Sequence, residues 1–360
     1  MLKGKSKQRP GIDVHSSRRS IEVEAIPTIV ASADSSAAIR CGLAWPTRPS
    51  PIVVDRQPAS SPKSPATASK TALLLLPVAA LLIAVAMMVA RSTAPGAAVG
   101  LSFRELISLV VIAFLSGLMS GFSGFGFSAI GAASLLFLAP TLQVPLFQSL
   151  STGNQLISAG QLRDEMPKSL KELWAAPGPC MLGGLAGAPL GIWLLAHLPP
   201  GKLMATFGIL LTVYAAYSSL KPPNLKLRGL DSPYVGIAVG LLGGIIGGFT
   251  AFPGAPVVVW IGLRGLSKVQ HRAVLQPYLI MSQIYGLALV ALLHPSFLNN
   301  QFLFLLMLGL PAVFPGTLIG VAIYKRISDR CFRRILYLPL AIAGIALLTK
   351  TYGPAIMRML

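Results

Sequence analysis

The stretch Gly117-Leu-Met-Ser-Gly-Phe-Ser-Gly124 recurs further along the chain as Gly240-Leu-Leu-Gly-Gly-Ile-Ile-Gly247. The two copies lie 123 residues apart, and the same offset pairs Gly131-Ala132 with Gly254-Ala255. A glycine-rich apolar segment that occurs twice at corresponding positions is typical of a duplicated membrane carrier. The repeat therefore predicts two related halves within one membrane domain.

The composition is that of a membrane protein. Of the 360 residues, 54% are hydrophobic and only 11% are charged, and the mean hydropathy is +0.70. A soluble chain of this length cannot bury so much apolar surface. We therefore expect an all-α, polytopic protein of the cell inner membrane, surrounded by the lipid bilayer.

The distribution of charge and cysteine disfavours several other partners. The net charge of +19 lies in an N-terminal tail and in loops between apolar runs, and aromatic residues do not alternate with the basic ones. This pattern predicts no nucleic acid partner. Cys41, Cys180 and Cys331 are widely spaced and form no C-x-x-C pair, so we expect no disulfide framework, no bound metal and no cofactor.

The N-terminal part of the chain differs from the rest. Residues 1–70 are rich in Ser, Pro and Ala and hold 11 Lys or Arg against 5 Asp or Glu, which predicts a disordered basic tail. Residues 71–90 carry no charge and are long enough to cross a bilayer. We interpret 71–90 as an extra N-terminal transmembrane helix or signal anchor that transport does not require, because the duplication does not include it. A start codon placed too early is the alternative explanation.

Ten apolar segments follow. Their approximate bounds are 103–122, 125–140, 146–162, 173–196, 203–220, 232–250, 253–263, 273–293, 302–324 and 334–349. They divide into a first repeat, 101–221, and a second repeat, 232–352, of four or five helical segments each. Segments 125–140 and 253–263 are too short to span comfortably and directly follow the glycine runs, so we expect halves of broken helices or re-entrant limbs.

Loop charges predict the relative orientation of the two repeats. In the first repeat, the loop around 141–145 has no Lys or Arg and the loop 163–172 has three. The matching loops of the second repeat show the reverse, with three in 264–272 and none in 294–301. Because basic loops remain cytoplasmic, the repeats are predicted to be inverted relative to each other.

Glycines four residues apart recur along several segments, as in Gly183, Gly187 and Gly191. This spacing places small residues on one helix face, where two backbones can approach closely. Gly187 and Gly191 also align with Gly316 and Gly320, at a slightly larger offset that an insertion explains. This second match supports the duplication.

The glycine runs lead into positions where the helices are predicted to unwind near mid-membrane, because glycine relaxes the backbone and proline lacks an N–H donor. A helix that restarts after such a break directs free N–H groups and its positive dipole end towards the cavity, which suits an oxyanion. The backbone positions predicted to bind the substrate are Gly121, Gly124, Gly126, Gly247, Gly248, Pro253, Gly254 and Pro256.

Polar side chains lie on the segments beside these breaks. One face of the third segment carries Ser151, Asn154, Ser158 and Gln161. In the second half, Gln276 and Gln283 match Asn154 and Gln161 at nearly the same offset as the glycine runs. Two interpretations have equal weight, namely hydrogen bonds between helices and ligands of the substrate. The side chains predicted to bind the substrate are Asn154, Gln161, Arg272, Gln276 and Gln283.

The charged residues narrow the substrate class. The acidic residues after position 70 all lie in loops or at segment ends, namely Glu105, Asp164, Glu165, Glu172, Asp231 and Asp329. Without a carboxylate at mid-membrane to relay protons or hold a cation, a carrier of small anions is favoured over a cation exchanger. Arg272 is most simply an anchor on the cytoplasmic side, and an entrance cation for the anion is the alternative.

Three motifs of the core are shared with a known family. They are G-L-x-x-G-x-x-G-x-G at 117–126, its second copy at 240–248 followed by G-A-P-V at 254–257, and the R-G-L-S-K…H-R-A stretch at 264–273. Through these motifs, residues 101–352 resemble the sulfite exporter TauE/SafE family of membrane anion transporters. The resemblance implies export of sulfite, sulfoacetate or related sulfur-containing anions. The sequence Phe-Thr-Ala-Phe-Pro at 249–253 departs from the tighter Gly-Gly-Pro turn that the family tends to have.

A different class is suggested by Gly121-Phe-Ser-Gly124, which matches the G-x-S-G motif of rhomboid-like intramembrane serine proteases. Ser123 is then the nucleophile and His197 its partner. Against this alternative, the second glycine run carries Ile246 in place of Ser123, and His197 stands at a predicted helix end. We therefore expect no catalytic residue and no enzyme activity.

The sequence thus predicts a carrier of a small anion that works by alternating access at a mid-membrane site between inverted repeats. The oligomeric state stays open, with a homo-oligomer among the alternatives.

Overall fold

The structure, a computed structural model, describes residues 100–175, 177–220, 229–326 and 344–350. Within these ranges the regular elements are helices, and no strand occurs. The predicted basic tail at 1–70 and the predicted hydrophobic helix at 71–90 lie outside the described residues.

In the described ranges the named α-helices are, in chain order, α1 Phe103–Ser123, α2 Phe127–Gly131, α3 Pro140–Gln161, α4 Leu170–Ala175, α5 Gly178–His197, α6 Pro200–Leu220, α7 Pro233–Thr250, α8 Gly254–Arg264, α9 Lys268–Leu293 and α10 Asn300–Arg326. A 3-10 helix, Ala132–Leu136, continues α2, and residues 344–350 are also helical. Helices α1, α5, α7, α9 and α10 are long and apolar enough to cross a membrane. The prediction of an all-α, multi-pass protein is confirmed for this part of the chain.

The two short segments are present as predicted. Helix α2 with its 3-10 extension replaces a full span after α1, and α8 has only 11 residues. The predicted loop around 141–145 is wrong, because these residues belong to α3. Pro140 stands at the first position of α3, where its missing N–H has no helical partner to lose, and the uncharged connection is 137–139.

Glycines bring two pairs of helices into backbone contact. A Cβ on Gly187 of α5 would overlap the carbonyl oxygen of Leu241 in α7. In the same way, a Cβ on Gly316 of α10 would overlap the carbonyl oxygen of Phe114 in α1. Membrane helices associate through such small-residue faces because the backbones gain close van der Waals contact. The four-residue glycine spacing is therefore a packing feature in both pairs.

The two helix pairs share one register. One turn further along, Gly191 meets Ile245 and Gly320 meets Leu118. Residue numbers rise together in both partners, so each pair is parallel. The contacts of α10 with α1 therefore repeat those of α5 with α7. The matching positions are Gly187 and Gly316, Gly191 and Gly320, Leu241 and Phe114, and Ile245 and Leu118.

Helices α3 and α9 run antiparallel against each other. Arg272 near the start of α9 bonds Ser158 near the end of α3, whereas Gly286 later in α9 lies against Gln148 earlier in α3. In addition, α3 packs on α10, and α9 packs on α5. These two helices carry the buried amide side chains Gln143, Gln148, Asn154, Gln155, Gln276 and Gln283.

Replacing Gly187 by alanine is expected to destabilise the protein, because the added methyl group meets the backbone of Leu241, which cannot rotate away. Overpacking of this kind costs about 1–3 kcal/mol, so the apparent melting temperature in detergent falls. Gly160→Ala is the matched control, because Gly160 is exposed in α3 and a Cβ there meets nothing within 4 Å. Equal falls for the two variants would contradict glycine packing as the reason.

Candidate functional site

Both glycine runs end in a helix break. Helix α1 ends at Ser123, and Gly124 follows in the left-handed conformation with φ of 83°. Helix α7 ends at Thr250, and Ala251 follows with φ of 58°. Ala251 is the one described residue other than glycine with a positive φ, a conformation that costs an alanine about 1–2 kcal/mol. The breaks predicted after the glycine runs are therefore present.

A hydroxyl group organises each turn. The Ser123 hydroxyl donates to the carbonyl of Met119 at 2.7 Å and accepts from the amide of Phe125 at 3.2 Å. Thr250 donates to the carbonyl one turn earlier at 2.6 Å and accepts from the amide of Phe252 at 3.1 Å. Each hydroxyl therefore satisfies backbone groups that the break leaves without helical partners.

Thr250 occupies the position equivalent to Ser123, so the predicted equivalence of Ser123 with Ile246 is wrong. The structure therefore aligns α1 with a part of α7 that lies further along the chain than predicted. The shift, from Ile246 to Thr250, is close to one helical turn. Because both runs carry glycines at four-residue spacing, either alignment superposes their glycine faces, and the sequence alone does not distinguish them.

The two breaks lie side by side. The rings of Phe125 and Phe252, one from each break, stack with their centroids 6.5 Å apart. The ring of Tyr214 in α6 meets these two rings edge-on, with centroid distances of 6.3 and 6.4 Å. The structure thus joins two breaks that lie in different halves of the chain into one site.

A small cavity of about 10 Å³ lies between the two breaks, α3 and α9. Its lining includes Gly126 and Ser128 after the first break, Pro253 before α8, and polar side chains of α3 and α9. This volume is about what a single water molecule needs. A larger, open cavity of about 490 Å³ lies near Gly100. The cavity between the breaks is the candidate site because both broken helices and buried polar side chains of α3 and α9 meet there.

Four polar side chains that line this cavity each have one atom without a hydrogen-bond partner. These atoms are Ser128 Oγ, Ser151 Oγ, Gln155 Oε1 and Gln283 Oε1. The four residues are between 1% and 3% exposed. Buried polar groups almost always have partners, and leaving one without a partner costs about 1–3 kcal/mol. A water molecule or a polar group of a ligand in the cavity would supply the missing partners.

Arg272 is a buried cation next to the first break. Its side chain is 1% exposed and donates to the carbonyls of Gly121 at 2.5 Å and Phe122 at 3.1 Å, and to the Ser158 hydroxyl at 3.0 Å. These carbonyls belong to the last turn of α1, where the helix dipole is negative. Arg272 therefore caps the broken helix, and its burial does not support the interpretation as a surface anchor.

Among the described residues, no carboxylate lies within ion-pair distance of the Arg272 guanidinium. The ion pair found in this part of the chain joins Arg264 and Asp231. The charge of Arg272 is instead covered by the ring of Tyr324, 4.1 Å away, and the Tyr324 hydroxyl donates to Glu165 at 2.9 Å. Because no carboxylate among the described residues lies within ion-pair distance, the positive charge of Arg272 favours negative charge near the first break.

The structure brings several of the predicted substrate-binding residues together. Gly126, Pro253 and Gln283 line the cavity, and Gly124 and Gly254 belong to the turns beside it.

Other predicted residues serve packing. A Cβ on Gly121, Gly247 or Gly248 would overlap a neighbouring helix or turn. Pro256, the third residue of α8, is half-buried and does not line the cavity.

Among the predicted amides, only Gln283 lines the cavity. Asn154 donates to the Ser120 hydroxyl at 2.7 Å and accepts from Thr317 at 2.8 Å, so it connects α1, α3 and α10. Gln276 donates to a backbone carbonyl of α3 at 3.0 Å, and Gln161 is exposed at the end of α3. Of the two interpretations of the amides, hydrogen bonding between helices therefore applies to Asn154.

Ser128 and Gln155 were not among the residues predicted from the sequence to bind the substrate. Gln155 follows Ser151 by four residues and therefore lies on the same polar face of α3, a signal that the sequence does contain. Ser128 lies two residues beyond the first glycine run, and only the fold places it opposite the second break.

The protease alternative receives no support from the structure. The Ser123 hydroxyl bonds the backbone of its own turn. The His197 ring stacks on Trp193 and bonds the Trp193 carbonyl at the exposed end of α5. Among the described residues, no group of three His, Cys, Asp or Glu side chains is placed to hold a metal ion.

Helices long and apolar enough to cross a membrane, together with a small polar site between two broken helices, are typical of a multi-pass membrane transport protein. A family model described as sulfite exporter TauE/SafE matches residues 109–347, about two thirds of the chain. The chain belongs to the sulfite exporter TauE/SafE family. No curated protein and no solved structure matches it.

Replacing Arg272 by lysine is expected to lower the apparent melting temperature in detergent. Lysine keeps the positive charge, but its compact ammonium group cannot reproduce the planar fork that reaches two carbonyls and a hydroxyl. Each hydrogen bond to a charged group contributes about 1.5–3 kcal/mol. Arg264→Lys is the control, because its ion pair with the largely exposed Asp231 contributes at most about 1 kcal/mol. If both variants melt alike, Arg272 does not cap the break.

Proposed function

We propose that the protein carries small anions, namely sulfite, organosulfonates or related sulfur-containing oxyanions, across the membrane by alternating access at the cavity between the two helix breaks. The observation that carries the proposal is the cluster of four buried polar atoms without partners around that cavity. The family description, sulfite exporter, favours these anions as substrates.

The local charge favours an anion over a cation. The hydroxyls of Ser128 and Ser151 are able to donate to oxyanion oxygens. Helix α8 begins directly after Pro253, which lines the cavity, so its positive dipole end lies at the site. The nearby Arg272 adds a full positive charge, and no carboxylate side chain of the described residues lines the cavity. These three features together stabilise negative charge at this position.

The size of the cavity supports alternating access. A volume of about 10 Å³ accepts one water molecule, whereas sulfite has four non-hydrogen atoms. Near the basic loops, the Tyr324 ring covers Arg272, and Glu165 holds the Tyr324 hydroxyl. Transport therefore requires α3 and α9 to separate from the breaks, first towards one side of the membrane and then towards the other.

The two repeats are part of the proposal. In an inverted-repeat carrier, each half adopts in turn the arrangement of the other, so the same contacts occur twice. The matching registers of α5 with α7 and of α10 with α1 support this organisation. The repeat boundaries remain 101–221 and 232–352, with the alignment of α1 on α7 corrected by one helical turn.

The inner membrane is the proposed location, with the basic loops in the cytoplasm. Exposed apolar side chains such as Leu292, Met307 and Val213, which are 61–78% exposed, suit contact with lipid. The small anion is the proposed partner, and a homo-oligomer stays among the alternatives.

Replacing Ser151 by alanine is expected to weaken anion transport without weakening the fold. The Ser151 hydroxyl has no protein partner to lose, but a hydrogen bond to a bound anion disappears. We expect the KM for sulfite flux in liposomes to rise about tenfold, with an unchanged melting temperature. Ser149→Ala is the matched control, because this half-buried hydroxyl of the same helix bonds the Pro145 carbonyl and does not line the cavity. Equal KM values for the two variants would place the binding site elsewhere.

The substrate class is tested with the purified protein in liposomes and a panel of sulfite, sulfate, thiosulfate, sulfoacetate and acetate. Selective flux of one or more sulfur-containing anions is expected. The absence of flux for every anion of the panel would refute the proposed function.

A further inference from the structure

Gln155 lines the cavity with an amide group whose nitrogen is hydrogen-bonded to the protein and whose oxygen has no partner. Its Nε2 donates to the Gly124 carbonyl at 3.3 Å and contacts the Ser120 hydroxyl at 3.4 Å. Its Oε1 has no partner, although the residue is 1% exposed and lines the cavity.

The amide of Gln155 has one favourable orientation. The Gly124 carbonyl is an acceptor only, so an exchange of Nε2 and Oε1 would place two acceptors in contact. The oxygen without a partner is therefore a fixed acceptor, in contrast to the serine hydroxyls, which rotate and both donate and accept.

A fixed acceptor at an anion site discriminates between anions of equal charge. An oxyanion that carries only acceptor oxygens brings its lone pairs against Gln155 Oε1 and leaves that atom without a partner. An oxyanion with an O–H or N–H group donates to Oε1 while its charged oxygens accept from Ser128 and Ser151. Sites built to bond a hydroxyl reject the analogue that lacks it, because a buried polar group then stays unpaired.

We propose that Gln155 makes the site selective for oxyanions that carry a hydrogen-bond donor, such as hydrogen sulfite or hydroxyalkylsulfonates, over oxyanions of equal charge without one. The inference rests on the proposed function, because it concerns the ligand of the same cavity.

The test uses two probes of equal charge that differ by one hydroxyl, 2-hydroxyethanesulfonate and ethanesulfonate. Each probe is added as a competitor of sulfite, and the inhibition of sulfite flux into liposomes that contain the purified full chain is measured. For the unmodified protein, we expect half-inhibition at a concentration at least about tenfold lower for the hydroxylated probe. Gln155→Met is expected to reduce this ratio to about one, because methionine keeps the length of the side chain and removes the acceptor.

Gln143→Met is the matched control. Gln143 lies on the same helix, is fully buried, donates to the Gly131 carbonyl and also has an Oε1 without a partner, but it does not line the cavity. This variant should keep the tenfold ratio.

The outcomes separate the two proposals. If sulfite flux is observed and the two probes inhibit it equally, the inference is overturned and the proposed function stands. This comparison uses the unmodified protein, so it does not depend on the folding of a variant. A ratio that persists in Gln155→Met overturns the role of Gln155. No flux of sulfite or of any other anion of the panel refutes the proposed function itself.

Discussion

A helix that stops inside a membrane exposes carbonyl oxygens and N–H groups for which lipid offers no partners, so the protein itself must supply them. In this protein, Arg272 binds the last carbonyls of α1, and the hydroxyls of Ser123 and Thr250 hold the two turns. Because these groups satisfy the backbone, two breaks can stand next to each other and enclose a cavity. The position of α9 against α1 and α3 also depends on Arg272, which bonds both helices.

The polar groups that hold the helices together differ from those that a ligand can use. Asn154 uses both ends of its amide to connect three helices, whereas its neighbour Gln155 keeps one oxygen free at the cavity. Adjacent residues in one turn of α3 therefore differ: Asn154 connects helices, and Gln155 leaves an acceptor for the proposed ligand. For this reason, the spacing of the amide residues along α3 could not distinguish hydrogen bonding between helices from binding of the substrate.

Much of the fold was predictable because membrane helices are constrained by length and hydrophobicity. The short limbs α2 and α8 followed from segments too short to span, and the packing of Gly187 and Gly191 followed from their spacing. The alignment of the two glycine runs was not predictable, because a shift by one turn leaves the glycine faces superposed. Ser128 was missed for a related reason, since nothing in its local sequence separates it from an ordinary small residue of a helix.

By itself, the sequence determined the class of fold, the bounds of most helices, the positions of both breaks and the family, because apolar length, glycine spacing and motif order are properties of short stretches. Only the tertiary structure decided which polar groups are satisfied and which remain for a ligand. That distinction depends on contacts such as Arg272 with Gly121, which join residues from different halves of the chain. Whether a polar atom has a partner is a property of its surroundings, and those exist only once the chain has folded.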